Sequence, residues 1–236
     1  VFVMGGLAAV GAILLTGPKG LAMISNMAFG TMDNFVIIAI PLFIFIGILL
    51  EKSGIAEDAF DLMYKWLGGI KGGLAVGTII VCTIFAAMTG TAAAATVSMG
   101  IIALPAMYKR GYDKKIAIGC IAAGGTMGVL IPPSVLMVLY GVFANESVGK
   151  LFAGGVFAGL LLSVIFIAYI LIRCQIQPDL CPAIPKEERP SWKERFVALK
   201  GVILPIIIIV SILGTIFLGI ATPTEAAAVG CVGSLI

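Results

Sequence analysis

There is no histidine in this 236-residue chain, and only 11% of its residues are charged. The first absence removes the zincin pattern and the Ser-His and Cys-His dyads, and with them the common intramembrane metalloprotease and hydrolase chemistries. The second removes a water-facing surface: soluble domains carry about 25% charged residues. Here 61% of the residues are hydrophobic. Cysteine offers no chemistry either. Cys82, Cys120, Cys174, Cys181 and Cys231 lack metal-ligand spacing, three of them lie in apolar runs, and an odd count argues against a disulfide framework, so they read as small packing residues. The net charge of +3 gives no reason to invoke nucleic acid, and nothing in the pattern asks for an organic cofactor. What is abundant is apolar sequence with 30 glycines, the composition of a polytopic α-helical membrane bundle with close packing and broken helices. Val1 in place of Met, and an apolar run that continues to Ile236, read as part of a longer chain.

Charge-free segments run over 1–18, 34–50, 72–108, 116–145, 151–172 and 201–224. Four of them suit single crossings. A straight helix over 72–108 would be about 55 Å long at 1.5 Å per residue, against a hydrocarbon core of about 30 Å, so the segment must fold back. Its middle, Met88 to Thr96, sets Gly90 between Thr89 and Thr91 and predicts a re-entrant hairpin of two half-length helices with a hydroxyl-rich tip. The segment 116–145 is interrupted by GGTMGVLIPPS, where Pro132 and Pro133 remove backbone donors and push Ile131 out of helical geometry. Gly124, Gly125 and Gly128 loosen the preceding turn. Two breaks at similar depth in consecutive elements are how discontinuous helices build substrate and ion sites; a pair of packing kinks is the alternative.

The resulting organisation is a first pair of spans over 1–50, an amphipathic interfacial helix over 51–71, a transport element over 72–150, and further spans over 151–236 with a linker at 173–200. The linker and the turn MYKRGYDKK are rich in Lys and Arg and belong in the cytoplasm; 19–33, Asn145 to Lys150 and the TPTE turn at 222–225 belong outside. In the amphipathic stretch, Ile55, Ala59, Phe60, Met63, Trp66, Leu67 and Ile70 share one face. Whether it is an arm to a mobile element or a simple connector stays open.

The spans contain no Asp, Glu, Lys or Arg, so a proton relay lacks its parts. Sodium can be held by carbonyls freed at the breaks and by the hydroxyls of Thr89, Thr91, Thr126 and Ser134, while the half-helix N-termini suit a carboxylate. The candidate site is therefore Thr89, Gly90, Thr91 and Ala92 at the tip, with Gly124, Gly125, Thr126, Gly128, Ile131, Pro132, Pro133 and Ser134 at the break. A channel would need polar residues along a whole helix face, and an enzyme a nucleophile and base; neither pattern is present.

At these residues the sequence resembles a known family. AIPLFIFIGILLEKSGIA (39–56), GGLAVGTIIVCTIFAAMTGTAAAATVSMG (72–100), MYKRGY, GTMGVLIPPS (125–134) and GIATPTEAAAV (219–229) are similar to the large membrane subunit of TRAP transporters, the tripartite ATP-independent periplasmic family. The resemblance implies the first inverted repeat of an elevator-type secondary transporter in the bacterial inner membrane and the start of the second, whose hairpin and partner break lie beyond Ile236. It implies sodium-driven import of organic acid anions of the C4-dicarboxylate or sialic acid type, with a small membrane subunit and a periplasmic substrate-binding protein as partners. The family's tip is commonly Ser-Gly-Ser-Ser-like; here it is Thr89-Gly90-Thr91-Ala92, one hydroxyl fewer. A sodium-coupled anion transporter of the same broad fold that lacks a binding protein is the second reading.

Overall fold

A computed structural model describes residues 2–185 and 190–235; the linker residues 186–189 lie outside the described residues. All regular structure among them is helical. Five helical stretches are long and apolar enough to cross a membrane: Phe35–Lys52, Ala92–Lys109, Lys114–Ala144, Val148–Ile176 and Trp192–Phe217.

The chain opens with α1 (Phe2–Thr16) and α2 (Lys19–Met32), joined at Gly17-Pro18 and packed mainly on each other. No described residue of α1 is buried. The segment 19–33, expected as an external connection, is thus a helix, and α1 is shorter than the single crossing expected over 1–18. A 3₁₀ turn capped by Asn34 leads into α3 (Ala39–Lys52), where Pro41 occupies the first turn and costs no helical hydrogen bond. Next comes α4 (Ile55–Leu67).

The hairpin is α5 (Gly73–Thr89) and α6 (Ala92–Lys109). Its arms have 17 and 18 residues, about 26 Å each at 1.5 Å per residue, so they are nearly a full core thickness long instead of half. Both open ends lie together, because the Leu74 N–H donates to the Tyr112 hydroxyl at 3.3 Å. Burial pushes the Tyr112 phenol up to about 12. The broken element is α7 (Lys114–Gly125), α8 (Met127–Leu130), an extended link, and α9 (Val135–Ala144). Then α10 (Val148–Ile176) runs back; it already contains Lys150, which the sequence had suggested for a loop. The last elements are α11 (Trp192–Ala198), α12 (Lys200–Phe217, containing Pro205) and α13 (Pro223–Ser234).

In the expected amphipathic stretch, α4 buries Ile55, Ala59 and Phe60 as its periodicity demands. It is seated inside the bundle on α5 and α12: an added Cβ at Gly77 would stand 2.9 Å from Met63, and one at Gly201 2.6 Å from Asp58. Trp66 and Ile70 stay half-exposed, Ile70 because the helix has ended. Trp66 packs edge-on to Phe196 at 6.0 Å and donates its indole N–H to the Arg195 carbonyl at 3.1 Å.

After α10 the chain 177–185 crosses the open ends of the hairpin as a strap. The Gly72 N–H donates to the Cys181 carbonyl at 3.1 Å, Asp113 N–H to Leu180 at 2.9 Å, and Ile184 N–H to Gly68 at 2.8 Å. Turning back over the last turn of α10 brings Cys181 within 5.7 Å (Cα to Cα) of Cys174, and the two are disulfide-bonded. This corrects the packing reading for that pair: an odd count excludes a complete framework and not one bond. Cys82, Cys120 and Cys231 are free and buried, as packing residues should be.

The strap gathers the basic turns 68–72 and 109–115 with the end of α10 at one end of the bundle. At the other, Asn34, Asn145 to Gly149 and Pro223 line a common cavity, and the Thr224 hydroxyl donates to the Phe35 carbonyl at 3.2 Å. Ile184, 3% exposed, is the strap's apolar anchor. We expect Ile184→Ala to lower the thermal unfolding midpoint of the detergent-solubilised protein by roughly 5–15 °C and to open 177–185 to limited proteolysis. Wild-type protease resistance would show that the strap's backbone bonds suffice.

Candidate functional site

The two breaks meet. Gly90 ends α5 in the left-handed region at φ 63°, which turns the chain sharply enough for α6 to return beside α5. A Cβ on Gly90 would lie 2.4 Å from the Pro133 carbonyl oxygen, and one on Gly128 2.4 Å from the Thr91 carbonyl oxygen. The tip therefore sits backbone to backbone on the extended link of the broken element, with glycine on each side of the contact. Gly47 on α3 completes the enclosure, its missing Cβ falling 2.9 Å from the Thr89 Cα.

Four helix ends converge there. Thr89 and Leu130 close α5 and α8, and Ala92 and Val135 open α6 and α9. Carbonyl ends and N–H ends are thus side by side, able to face a cation and an anion respectively. Their N-cap residues behave unusually for this chain. Where Asn34, Asp113, Ser147, Ser191 and Thr222 precede helices, each side chain accepts a hydrogen bond from its own helix's first turn. Thr91 and Ser134 are equally extended and of equally good capping type, yet neither caps its helix. The Ser134 hydroxyl donates instead to the Val129 carbonyl at 2.9 Å, and Thr91 has no hydrogen bond from its hydroxyl among the described residues. The Thr89 hydroxyl donates to the Phe85 carbonyl at 3.0 Å and lies 3.4 Å from the Thr91 carbonyl.

Of the residues read from the sequence, Thr89, Gly90, Gly128, Ile131, Pro132, Pro133 and Ser134 are buried around this contact, with Thr91 and Ala92 half-buried at its edge. Gly124 and Gly125 are helical and do not loosen a turn; they are close-packing positions, their missing Cβ atoms falling 2.7 Å from the Cys82 Cβ and on the Thr96 hydroxyl. Thr126 is not brought to the others. Its side chain is exposed and its hydroxyl donates back to Ala123 at 2.7 Å. Sequence reasoning missed Gly47, one glycine among many in apolar spans. It also missed the hydroxyl pair Thr83–Ser163, whose oxygens lie 2.9 Å apart and tie α5 to α10. No cluster of three or more metal-ligating His, Cys, Asp or Glu side chains occurs among the described residues, so any cation here would be held by hydroxyl and carbonyl oxygens.

Comparison with known proteins places the chain in a family. The family described as "Tripartite ATP-independent periplasmic transporter, DctM component" matches residues 1–236. A C4-dicarboxylate TRAP transporter large permease protein of Vibrio cholerae is 37% identical over 230 residues, covering 97% of this chain and 50% of that protein. Its counterpart in Pseudomonas aeruginosa is 36% identical, covering 97% and 52%. A sialic acid TRAP transporter large permease protein of Vibrio cholerae is 34% identical, covering 96% and 52%. The chain spans about half the length of these relatives.

The geometry makes a stability prediction. Gly90→Leu and Gly128→Leu should each lower the unfolding midpoint by roughly 5–10 °C, because a side chain must displace backbone at both positions. Gly100→Leu, where an added Cβ meets nothing within 4 Å, should leave the midpoint unchanged. Equal midpoints for all three variants would refute the close contact of tip and break.

Proposed function

The chain belongs to the DctM component of the tripartite ATP-independent periplasmic transporters, a multi-pass inner-membrane transporter component and not an enzyme, and from that premise we propose that it forms the first half of a sodium-coupled permease for organic acid anions. The observation that carries the reading is the pair of uncapped helix starts at Thr91 and Ser134, in contact with two helix C-terminal ends. The N–H ends would receive a substrate carboxylate. Hydroxyls of Thr89, Thr91 and Ser134, with carbonyls at the α5 and α8 ends, would hold sodium; the exposed Thr126 is left out of this set.

Coupling would follow from closure: sodium drawn between tip and break tightens their contact, and the hairpin and broken helix then move as one body against the surrounding spans, with α4 as the joint. Because the relatives are named for substrates as different as C4-dicarboxylates and sialic acid at nearly equal identity, overall similarity does not select between them. A small membrane subunit and a periplasmic binding protein complete the proposed system.

The hairpin is proposed to enter and leave on the cytoplasmic side. Both basic turns lie at the strap end, and the positive-inside rule assigns that end to the cytoplasm. In a cysteine-free background, an impermeant thiol reagent on intact cells should label Ser147→Cys and not Lys114→Cys; the reverse pattern would invert the orientation. For coupling, the complete permease with its partner subunits in proteoliposomes should take up substrate under a sodium gradient at equal pH, and not under a pH gradient without sodium. Comparable uptake in sodium-free buffer would remove sodium coupling and the ion-binding role of Thr89 and Thr91.

A further inference from the structure

A cavity of about 680 Å³ lies between α7 and α10; Phe166, on its wall, also packs against the buried cluster of Ala86, Met127 and Ile131 beside the break. Its two ends differ in chemistry. At the strap end stand Lys115, Arg173 and Gln177, and the rest is a trough walled by Ile116, Ile165 and Phe166. Among the described residues neither Lys115 nor Arg173 is ion-paired. Asp113 is the one carboxylate at the rim among the described residues; its side chain accepts hydrogen bonds from the backbone N–H groups of Lys115 and Ile116 at 2.9 and 3.4 Å, so it is engaged as the α7 cap. Among the described residues the mouth carries two cations against one anion.

The trough is open outward. Gly119 is exposed, an added Cβ there would meet nothing within 4 Å, and Ile165 and Tyr169 are 52% and 65% exposed. In a membrane-spanning bundle such a wall faces acyl chains. A small soluble anion would use the two cations and leave the trough empty, and a neutral amphiphile would fill the trough and leave the cations unmatched. We propose that this groove binds an anionic phospholipid of the adjoining leaflet, with its phosphate at Lys115 and Arg173 and an acyl chain along Gly119, Ile165 and Phe166. The basic end is the one the charge distribution assigns to the cytoplasm, where anionic headgroups meet juxtamembrane cations. Nothing in the proposal depends on the substrate or the coupling ion.

The test uses the complete permease with its partner subunits in phosphatidylcholine nanodiscs doped with a photoactivatable phospholipid, the cross-linked peptides being mapped by mass spectrometry. Photoactivatable phosphatidylglycerol should mark peptides covering 115–123 or 165–177, and unlabelled phosphatidylglycerol should compete. Photoactivatable phosphatidylcholine should mark them far less. Lys115→Gln and Arg173→Gln should each reduce labelling about fivefold, the worth of one cation near a headgroup. Gly119→Leu, whose Cβ meets no protein atom within 4 Å and whose side chain would enter the trough, should abolish labelling; Gly154→Leu, with an equally unobstructed Cβ elsewhere on α10, should preserve it. Equal labelling by the two lipids, full labelling of the double charge variant or of Gly119→Leu, or no cross-link in these peptides would each overturn the proposal.

Discussion

Inside a bilayer a backbone N–H or C=O freed by a helix break finds no water, and leaving one unpaired costs several kcal/mol. Everything distinctive about this chain answers that constraint. The turn at Gly90 and the extended link at Ile131–Ser134 are not distributed over the bundle; each is pressed against the other and shielded by Gly47. Polar backbone that would be intolerable facing lipid is tolerated because protein covers it. The cost in sequence is side-chain volume, since the contact exists only where Cβ atoms are missing.

The same economy explains the hydroxyls. Elsewhere in the chain a polar N-cap side chain serves its own helix, as at Ser191 and Thr222, where Glu194 and Glu225 complete capping boxes. The Thr222 N–H and hydroxyl hold the exposed Glu225 carboxyl below its usual range. At the two breaks the caps are withheld, which leaves helix ends with unspent partial charge, Ser134 buried and Thr91 half-buried. An enzyme site would need a nucleophile and base; this contact presents helix dipoles and hydroxyl and carbonyl oxygens, the groups on which the proposed ion binding rests.

Around that centre the bundle is polarised. The strap fastens both open ends of the hairpin to α4 and α10 through backbone bonds, so the base is braced while the tip is held by shape alone. The close contact of α4 with the hairpin, Met63 against Gly77, lies between the braced and the unbraced parts. The groove between α7 and α10 has its basic residues at the braced end, where the headgroup of a bound lipid would sit beside the strap.

The amino-acid sequence by itself determined the class, the hairpin turn and the proline break, because each follows from local rules: charge is excluded from lipid, an uncharged run longer than the core must fold back, and consecutive prolines cannot continue a helix. From the sequence TPTE reads only as an external turn; that Thr222 and Glu225 form a capping box there came with the structure. Only the tertiary structure decided that the two breaks touch, that Gly124 and Gly125 pack instead of bend, that Thr126 faces outward, and that Cys181 returns to Cys174. Those are facts about distance between residues remote in the chain or about which way a helix face is turned. Glycine spacing in a uniformly apolar span carries no signal for them, since every face of such a helix looks alike until a neighbour is packed against it.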